Sequence, residues 1–225
     1  VLDIGCGWGG FARFAIEHYS VRVVGLSISK EQQKYVAERY AALPFEYVIS
    51  DYRDYVDEEG FDAIVSIEMV EHVGPKNYLT FFRKIHELLK LEGKVFLQAI
   101  ANFDSSGIAD PWLDKYIFPN GVLPSLGQLE RATRPYFIIE NLRTIDADYE
   151  KTLIEWWLSF EKKYPELVLQ NPQYNERFYR MWKYYLLSCA GLFRARACVD
   201  WQIVMSKNPR AHTYNIRRYQ KSKIR

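Results

Sequence analysis

The chain has 225 residues, is 48% hydrophobic and carries a formal net charge of +2. That length suits one large domain or a domain with an insertion, and the nearly balanced charge argues against a dedicated nucleic-acid binder. The three cysteines lack metal-ligand spacing, which predicts no metal site and a reducing, cytoplasmic location. No apolar run approaches the roughly 20 residues that span a bilayer.

The chain opens on an apolar run with one acidic residue, Val1 to Ile4, followed by a glycine-rich turn from Gly5 to Gly10. This order predicts a buried strand, a tight turn and, from Phe11 onward, a helix. Glycines let the backbone approach a ligand closely, because no Cβ stands in the way. The pattern predicts a nucleotide-type cofactor site at the carboxyl end of a parallel strand. A glycine-rich turn in some other kind of α/β protein is the open alternative.

Strands and helices alternate along the next part of the chain. Strands are predicted over 21–26, 45–49, 61–67 and 94–100, and helices over 29–39 and 78–89. Ser29 and Gln32 have the spacing of a capping box at the start of the first of these helices. The alternation predicts an α/β fold with a doubly wound, mostly parallel sheet.

The pattern changes after Ile100. We predict a loop over 102–124, a short helix over 125–132, a strand over 136–142, long helices over 147–169 and 174–196, and a strand over 201–205. The two long helices are rich in aromatic residues, which favours a helical lid over an apolar substrate, inserted before the last of seven strands. Simple core packing is the alternative for each ring. We expect a catalytic domain over 1–206, with its helical insertion at about 147–196.

Residues 207–225 form a basic tail with no acidic side chain. Such a tail is either a solvated terminus or a segment attracted to anionic lipid headgroups.

Acidic and polar residues follow the predicted strands, at the edge where doubly wound sheets bind their ligands. The cofactor-binding candidates are Asp3, Gly5, Cys6, Gly7, Trp8, Gly9, Ser27, Ile28, Gln32, Asp51 and Tyr52. An acidic, polar site without a Walker motif suits a cationic cofactor that carries a ribose. S-adenosylmethionine therefore fits better than NAD, which predicts a methyltransferase.

Five segments then carry a more specific pattern: Val1–Gly10, Glu71–Tyr78, Lys115–Gly121, Ala147–Tyr149 and Phe193–Arg196. In order and spacing they resemble the cyclopropane-fatty-acyl-phospholipid synthase family, from residue 1 to about 206. The resemblance implies a class I, Rossmann-like methyltransferase that methylates a cis double bond of an unsaturated phospholipid acyl chain. It further implies a carbocation that loses a proton to bound bicarbonate and closes to a cyclopropane ring.

The resemblance also implies which residues act. The bicarbonate ligands carry over to Glu71, Gln98, Ile100 and Tyr149. Many relatives have histidine in place of Gln98, so we expect a retained site of altered strength. A further cysteine ligand of the family precedes the glycine turn and is not in this sequence, so we expect weak or absent turnover from residues 1–225 alone. Relatives suggest a peripheral location at the membrane and a homodimer.

Other interpretations stay open. The chain could be a small-molecule N- or C-methyltransferase, an acyl-chain methyl-branching enzyme, or a non-catalytic module that binds cofactor or lipid. The rings of Trp112, Tyr116 and Tyr149 are candidates for cation–π stabilisation of the carbocation, with packing as the alternative for each. Glu68 is either a partner of the catalytic group or a solvated residue, and we expect His72 to be structural.

Overall fold

In a computed structural model, which describes residues 1–105 and 110–207, a seven-stranded sheet has the order β3-β2-β1-β4-β5-β7-β6. The strands are β1 Leu2–Ile4, β2 Val23–Ser27, β3 Phe45–Ile49, β4 Phe61–Ile67, β5 Leu89–Ala101, β6 Ile138–Thr144 and β7 Val199–Ser206. The pairs among β1 to β5 are parallel, and β7 lies antiparallel between β5 and β6. The predicted mostly parallel, doubly wound sheet is confirmed.

The helices fall largely where the sequence predicts them. They are α1 Gly10–Tyr19, α2 Lys30–Arg39, α3 Val70–Val73, α4 Tyr78–Leu88, α5 Pro111–Tyr116, α6 Leu126–Thr133, α7 Asp146–Gln170 and α8 Glu176–Arg194. The prediction of a loop over 102–124 was wrong for α5. This short helix begins at Pro111, and the Asp110 side chain caps it by accepting from the N–H groups of Trp112 and Leu113 at 2.9 Å.

The main core lies between the central strands and α4. Leu2 and Ile64 are fully buried in the sheet, and Phe82 and Ile85 pack on it from the helix. Complete burial of such side chains contributes about 1.5–3 kcal/mol each. Leu79, on the same helix, lies outside this core and is 52% exposed.

Only one of the two hydrogen bonds of the capping box predicted at Ser29 forms. The Ser29 hydroxyl accepts from the Gln32 N–H at 3.2 Å, as expected of an N-cap. The Gln32 side chain, however, accepts a hydrogen bond from the Ser27 hydroxyl at 2.8 Å instead of returning to the cap. A reciprocal capping box occurs at Ser125 and Gln128, at the start of α6.

Helices α7 and α8 pack against each other and lie in the chain between β6 and β7, so the predicted helical insertion before the last strand is confirmed. Leu153, Leu186 and Phe193 are buried in the cluster between them. Several of the aromatic rings pack on one another, with Trp157 and Phe160 both in contact with Tyr179. For these rings, core packing is the correct interpretation.

Two glycines near the turn give a matched pair for a stability test. A Cβ at Gly25 would lie 2.7 Å from the Cys6 Sγ and 2.7 Å from a ring carbon of Phe45, whereas a Cβ at Gly10 meets nothing within 4 Å. We expect Gly25→Ala to lower the free energy of unfolding by about 1–3 kcal/mol through overpacking. Gly10→Ala should leave it unchanged or raise it by about 0.4–1 kcal/mol. Urea unfolding of both variants measures this, and equal effects would contradict the described packing around β2.

Candidate active site

Two cavities open at the carboxyl ends of the parallel strands. One is a cleft of about 340 Å³, and its lining includes five of the predicted cofactor-binding residues: Gly5, Ser27, Ile28, Asp51 and Tyr52. The other is a largely apolar cavity of about 440 Å³ between this sheet edge, α5 and α8. His72 lines both cavities, so the two spaces adjoin at the start of α3.

The glycine turn reaches the cleft at its first residue, Gly5. The N–H groups of Gly5 and Cys6 both donate to the Leu26 carbonyl, at 2.9 and 3.0 Å, which fixes the turn against β2. Gly5 has φ +84°, and a Cβ there would lie 2.7 Å from the Met69 Cγ. A side chain at this position would therefore be strained and would also press on the wall of the cleft.

Asp51 and Arg53 form an ion pair in the lining of the cleft. Arg53 donates to both of its carboxylate oxygens, from Nε at 2.9 Å and from the terminal nitrogen at 2.6 Å. These hydrogen bonds lower the pKa of Asp51, so its carboxylate is ionised at neutral pH. An ionised carboxylate in a polar cleft can accept hydrogen bonds from ribose hydroxyls and can attract a sulfonium.

The remaining predicted cofactor residues lie in β1, in the turn itself and in α2. They are not among the residues described as lining the cleft. They are Asp3, Cys6, Gly7, Trp8, Gly9 and Gln32. Asp3 is buried in β1, where loss of solvation raises its pKa to about 7, and Gly9 caps α1. Trp8 is 55% exposed and packs its ring edge-on against Tyr35. Gln32 accepts a hydrogen bond from the hydroxyl of Ser27, and Ser27 lines the cleft.

Glu71 is the most unusual side chain of the site. It lies in the first turn of α3, is only 7% exposed, and its Oε1 accepts from the Ile100 N–H at 2.6 Å. Its Oε2 is buried with no hydrogen-bond partner among the described residues. Burial raises the pKa of Glu71 to about 8, so this carboxyl is mostly protonated at neutral pH. The predicted residues Glu71 and Ile100 are thus in direct contact.

Gln98 and Tyr149 lie in a network beside Glu71. The Gln98 Nε2 donates to Asp200 at 3.0 Å, and its Oε1 accepts from Gln202 at 2.8 Å. The Tyr149 hydroxyl bonds the Glu68 carboxylate, and burial raises the pKa of both groups. The Tyr149 ring also stacks on Phe193, whose side chain lines the apolar cavity.

Two acidic side chains, Glu68 and Glu71, line the cavity, and Asp200 joins the same network through its hydrogen bond with Gln98. Glu68 and Asp200 both raise the pKa of Glu71, in addition to the larger effect of burial. Glu68 also has φ +52°, a conformation that a residue with a side chain rarely adopts and that costs of order 1–3 kcal/mol. A strained, buried acidic cluster is typical of a site that stabilises positive charge and moves protons.

Sequence reasoning missed Asp200 and left the role of Glu68 open. The position of Glu68 at a strand end was the available signal, whereas Asp200 reaches the site only because β7 pairs with β5. Trp112 and Tyr116, predicted as candidates to face a carbocation, instead line a separate pocket between α5 and α8.

Comparison with known proteins gives a consistent match. The family model described as mycolic acid cyclopropane synthetase matches residues 1–203. The chain is 47% identical over 207 residues to cyclopropane-fatty-acyl-phospholipid synthase of Escherichia coli, covering 92% of this chain and 53% of that protein. It is 31% identical over 226 residues to sphingolipid C9-methyltransferase 2 of Gibberella zeae, covering 92% and 42%. The chain thus spans about half the length of the curated relatives it matches.

Solved structures agree with this match. A cyclopropane synthase from Mycobacterium tuberculosis superposes with a TM-score of 0.83 at 27% identity, covering 92% of this chain and 77% of that one. A mycolic acid cyclopropane synthase complexed with SAH and CTAB gives a TM-score of 0.81 at 27% identity, with the same coverage. The sheet with its helical insertion is thus the class I methyltransferase fold of these structures.

Across residues 1–105 and 110–207, no helix combines the length and the apolar character needed to cross a membrane. The predicted basic tail lies outside the described residues beyond Lys207.

The raised pKa of Glu71 predicts how stability depends on pH. Because the folded state holds this proton more tightly than the unfolded chain, the free energy of unfolding should fall as pH rises from about 4.5 to 8 and then level off. Each unit of pKa difference corresponds to about 1.4 kcal/mol. We expect Glu71→Gln to flatten this slope in urea unfolding measured from pH 5 to 8.

The exposed residue Glu59 offers the matched control. Glu59→Gln should keep the slope of the unsubstituted protein, and Asp3 should leave a residual slope in both variants because its pKa is also raised. An unchanged slope in Glu71→Gln would contradict the protonation assigned to Glu71.

Proposed function

The chain belongs to the mycolic acid cyclopropane synthetase family, and on that premise we propose that the protein forms cyclopropane rings in unsaturated phospholipid acyl chains. In this reaction a methylene group is transferred from S-adenosylmethionine to a cis double bond. The observation that carries the proposal is Glu71, a buried and mostly protonated carboxyl that lines the apolar cavity beside His72, where the cavity adjoins the cleft.

The cleft suits S-adenosylmethionine by its chemistry. The ionised Asp51 would accept hydrogen bonds from the ribose hydroxyls, and the Tyr52 side chain would pack beside them. Gly5 brings bare backbone to the lining of the cleft, where the amino-acid end of the cofactor would lie, and a Cβ there would collide with Met69. When bound, S-adenosylmethionine supplies the carbon that joins the double bond.

The apolar cavity suits an acyl chain. Its lining is dominated by the apolar side chains Ile100, Leu113, Phe118, Leu123, Leu192 and Phe193. Transfer of an acyl chain from water into such a space is favourable by about 0.8 kcal/mol for each buried CH₂ group. Water-excluding walls also protect a carbocation, because few nucleophiles can reach it.

Aromatic rings beside the cavity can stabilise the positive charge that develops on the acyl chain. Phe193 lines the cavity, and the Tyr149 ring stacks on it with ring centroids 4.7 Å apart. An aromatic face stabilises a desolvated cation by up to about 2 kcal/mol. Glu68 lines the cavity and accepts a hydrogen bond from the Tyr149 hydroxyl, so its carboxyl is already engaged beside the proposed cation.

The donor set beside Glu71 fits bicarbonate, the base that would remove a proton from the new methyl group. Protonated Glu71 can donate from its unpartnered Oε2 to an anion, whereas an ionised Glu71 would repel it. The Tyr149 hydroxyl and the Ile100 N–H are the neighbouring donors, but they already bond Glu68 and Glu71, so each would have to share or exchange its partner. Both polar ends of Gln98 already bond Asp200 and Gln202, so Gln98 would have to exchange a partner to act as a ligand.

Relatives keep one alternative product open. The sphingolipid C9-methyltransferases match this chain at about 31% identity or less, and the polar ends of Gln98 are engaged by other side chains. If the base is held weakly, the substrate cation would instead lose a proton from a neighbouring carbon of the chain, which gives a methyl-branched chain that keeps a double bond.

The test is mass spectrometry together with proton NMR of the lipid products made by the full-length protein, because a ring and a methyl-branched double bond add the same mass and only the ring gives cyclopropane proton signals. With S-adenosylmethionine and vesicles of unsaturated phospholipid, we expect acyl chains that gain one CH₂ and lose their double bond to a ring. Glu71→Gln should lower the rate by at least about 100-fold, the scale of a lost acid–base group. Titration with S-adenosylhomocysteine should give an affinity within about threefold of the unsubstituted protein.

Two controls separate the possible causes. Glu59→Gln should keep full activity, and buffer depleted of bicarbonate should slow the unsubstituted protein until bicarbonate is restored. Methylation of small amines with unchanged lipids would overturn the proposal, whereas methyl-branched chains without rings would assign the alternative product.

A further inference from the structure

A third pocket, of about 340 Å³, lies between α5 and α8 and is separate from the apolar cavity. Two arginines are among its lining residues. The lining residues are Trp112, Tyr116, Arg177, Arg180, Met181 and Tyr184. We propose that this surface, called here the α5–α8 face, docks the protein on a phospholipid bilayer. The arginines bind lipid phosphates, and the aromatic rings lie at the level of the headgroups. The proposal rests on the proposed function, because it assumes that the substrate is a membrane lipid.

The residues from α8 form a single stripe. Arg177, Arg180, Met181 and Tyr184 have the i, i+3, i+4, i+7 spacing that places side chains on one helix face. Phe193 and other residues of the same helix are buried against α7. The amphipathic helix therefore packs one side on the protein and leaves its basic, aromatic side at the surface.

The charge of the α5–α8 face is complementary to phosphate. Arg177 makes no ion pair with any residue in the described part of the chain, and Arg180 donates to Glu176 at 2.9 Å. The side chains of that pair are 68% and 78% exposed, and surface pairs of this kind contribute little. A lipid phosphate can therefore engage both guanidinium groups, which match the geometry of phosphate oxygens. Among the described lining residues there is no acidic side chain.

The aromatic side chains suit the boundary between water and lipid. Tyr184 is 57% exposed and packs against Trp112 with ring centroids 4.6 Å apart, and Tyr116 is 38% exposed. Tryptophan and tyrosine prefer this boundary because each has an apolar body and a polar tip. The Lys115 ammonium, 5.2 Å from the Tyr116 ring centroid, adds a further positive charge.

The position of the α5–α8 face relative to the cavity supports a lipid as its occupant. The same two helices line both spaces, α5 through Leu113 on the cavity side and α8 through Leu192. Leu192 is 40% exposed and Phe118 is 41% exposed. The wall of the cavity therefore has apolar side chains at the surface. A headgroup held by the arginines would thus keep an acyl chain near the entrance of a cavity that suits it.

The test measures binding of the full-length protein to vesicles, without turnover. We expect co-sedimentation with vesicles of phosphatidylcholine and phosphatidylglycerol, weakened at least tenfold by R177E/R180E and less by R177Q/R180Q. Each basic residue near an anionic surface strengthens binding by roughly fivefold, and added salt should weaken it further. The matched control is R83E/R131E, which reverses two exposed arginines on α4 and α6 and should weaken binding less than twofold.

Each outcome decides the proposal. Equal losses in both charge-reversal variants would assign membrane attraction to overall charge and overturn the role of the α5–α8 face. Unchanged binding in R177E/R180E would mean that another segment of the protein or a protein partner covers this face. Titration with S-adenosylhomocysteine and thermal unfolding should be the same for all variants, which excludes misfolding. The experiment measures binding to vesicles and no product. Its result therefore stands even if the protein forms no cyclopropane rings.

Discussion

The site depends on one constraint, the burial of carboxyl groups where the parallel strands end. A carboxylate at the surface would be ionised at neutral pH, but loss of solvation keeps Glu71 mostly protonated, with a pKa of about 8. Glu68 and Asp200 add to this effect because like charges close together disfavour ionisation. The Ile100 N–H holds one oxygen of Glu71 and leaves the other as a buried donor without a partner among the described residues. The other features of the proposed chemistry are arranged around this neutral acid.

The sequence predicted the sheet well because its signals are local. Short β-branched runs followed by polar residues indicated β1 to β5. The glycine turn indicated the position of the proposed cofactor cleft. The contact between Glu71 and Ile100 followed from a resemblance to a family and not from spacing. The partners of Gln98 could not be predicted, because they depend on the antiparallel register of β7, in which Gln98 pairs with Gln202 and Ile100 with Asp200. A pairing between residues about a hundred positions apart leaves no local pattern.

Helices α5 and α8 connect the proposed chemistry with the proposed lipid surface. One side of each helix lines the apolar cavity, and another side contributes to a pocket with two arginines and exposed rings. Trp112 and Tyr116 were candidates for stabilising a carbocation, with packing as the alternative, and they lie at this outer pocket. Their amphipathic rings are better suited to a membrane boundary than to a closed reaction site. The aromatic residues of the insertion thus divide into a packed core between α7 and α8 and an exposed set toward α5.

The protonation of Glu71 is the central claim, and carbon-13 NMR of the glutamate side-chain carboxyls measures it directly. In a pH titration of the folded protein, we expect one carboxyl resonance with a midpoint near 8 that is missing from the spectrum of Glu71→Gln. Such a resonance would establish the buried neutral acid on which the proposed reaction depends. A Glu71 resonance with its midpoint below about 5, within the ordinary range for glutamate, would contradict the account.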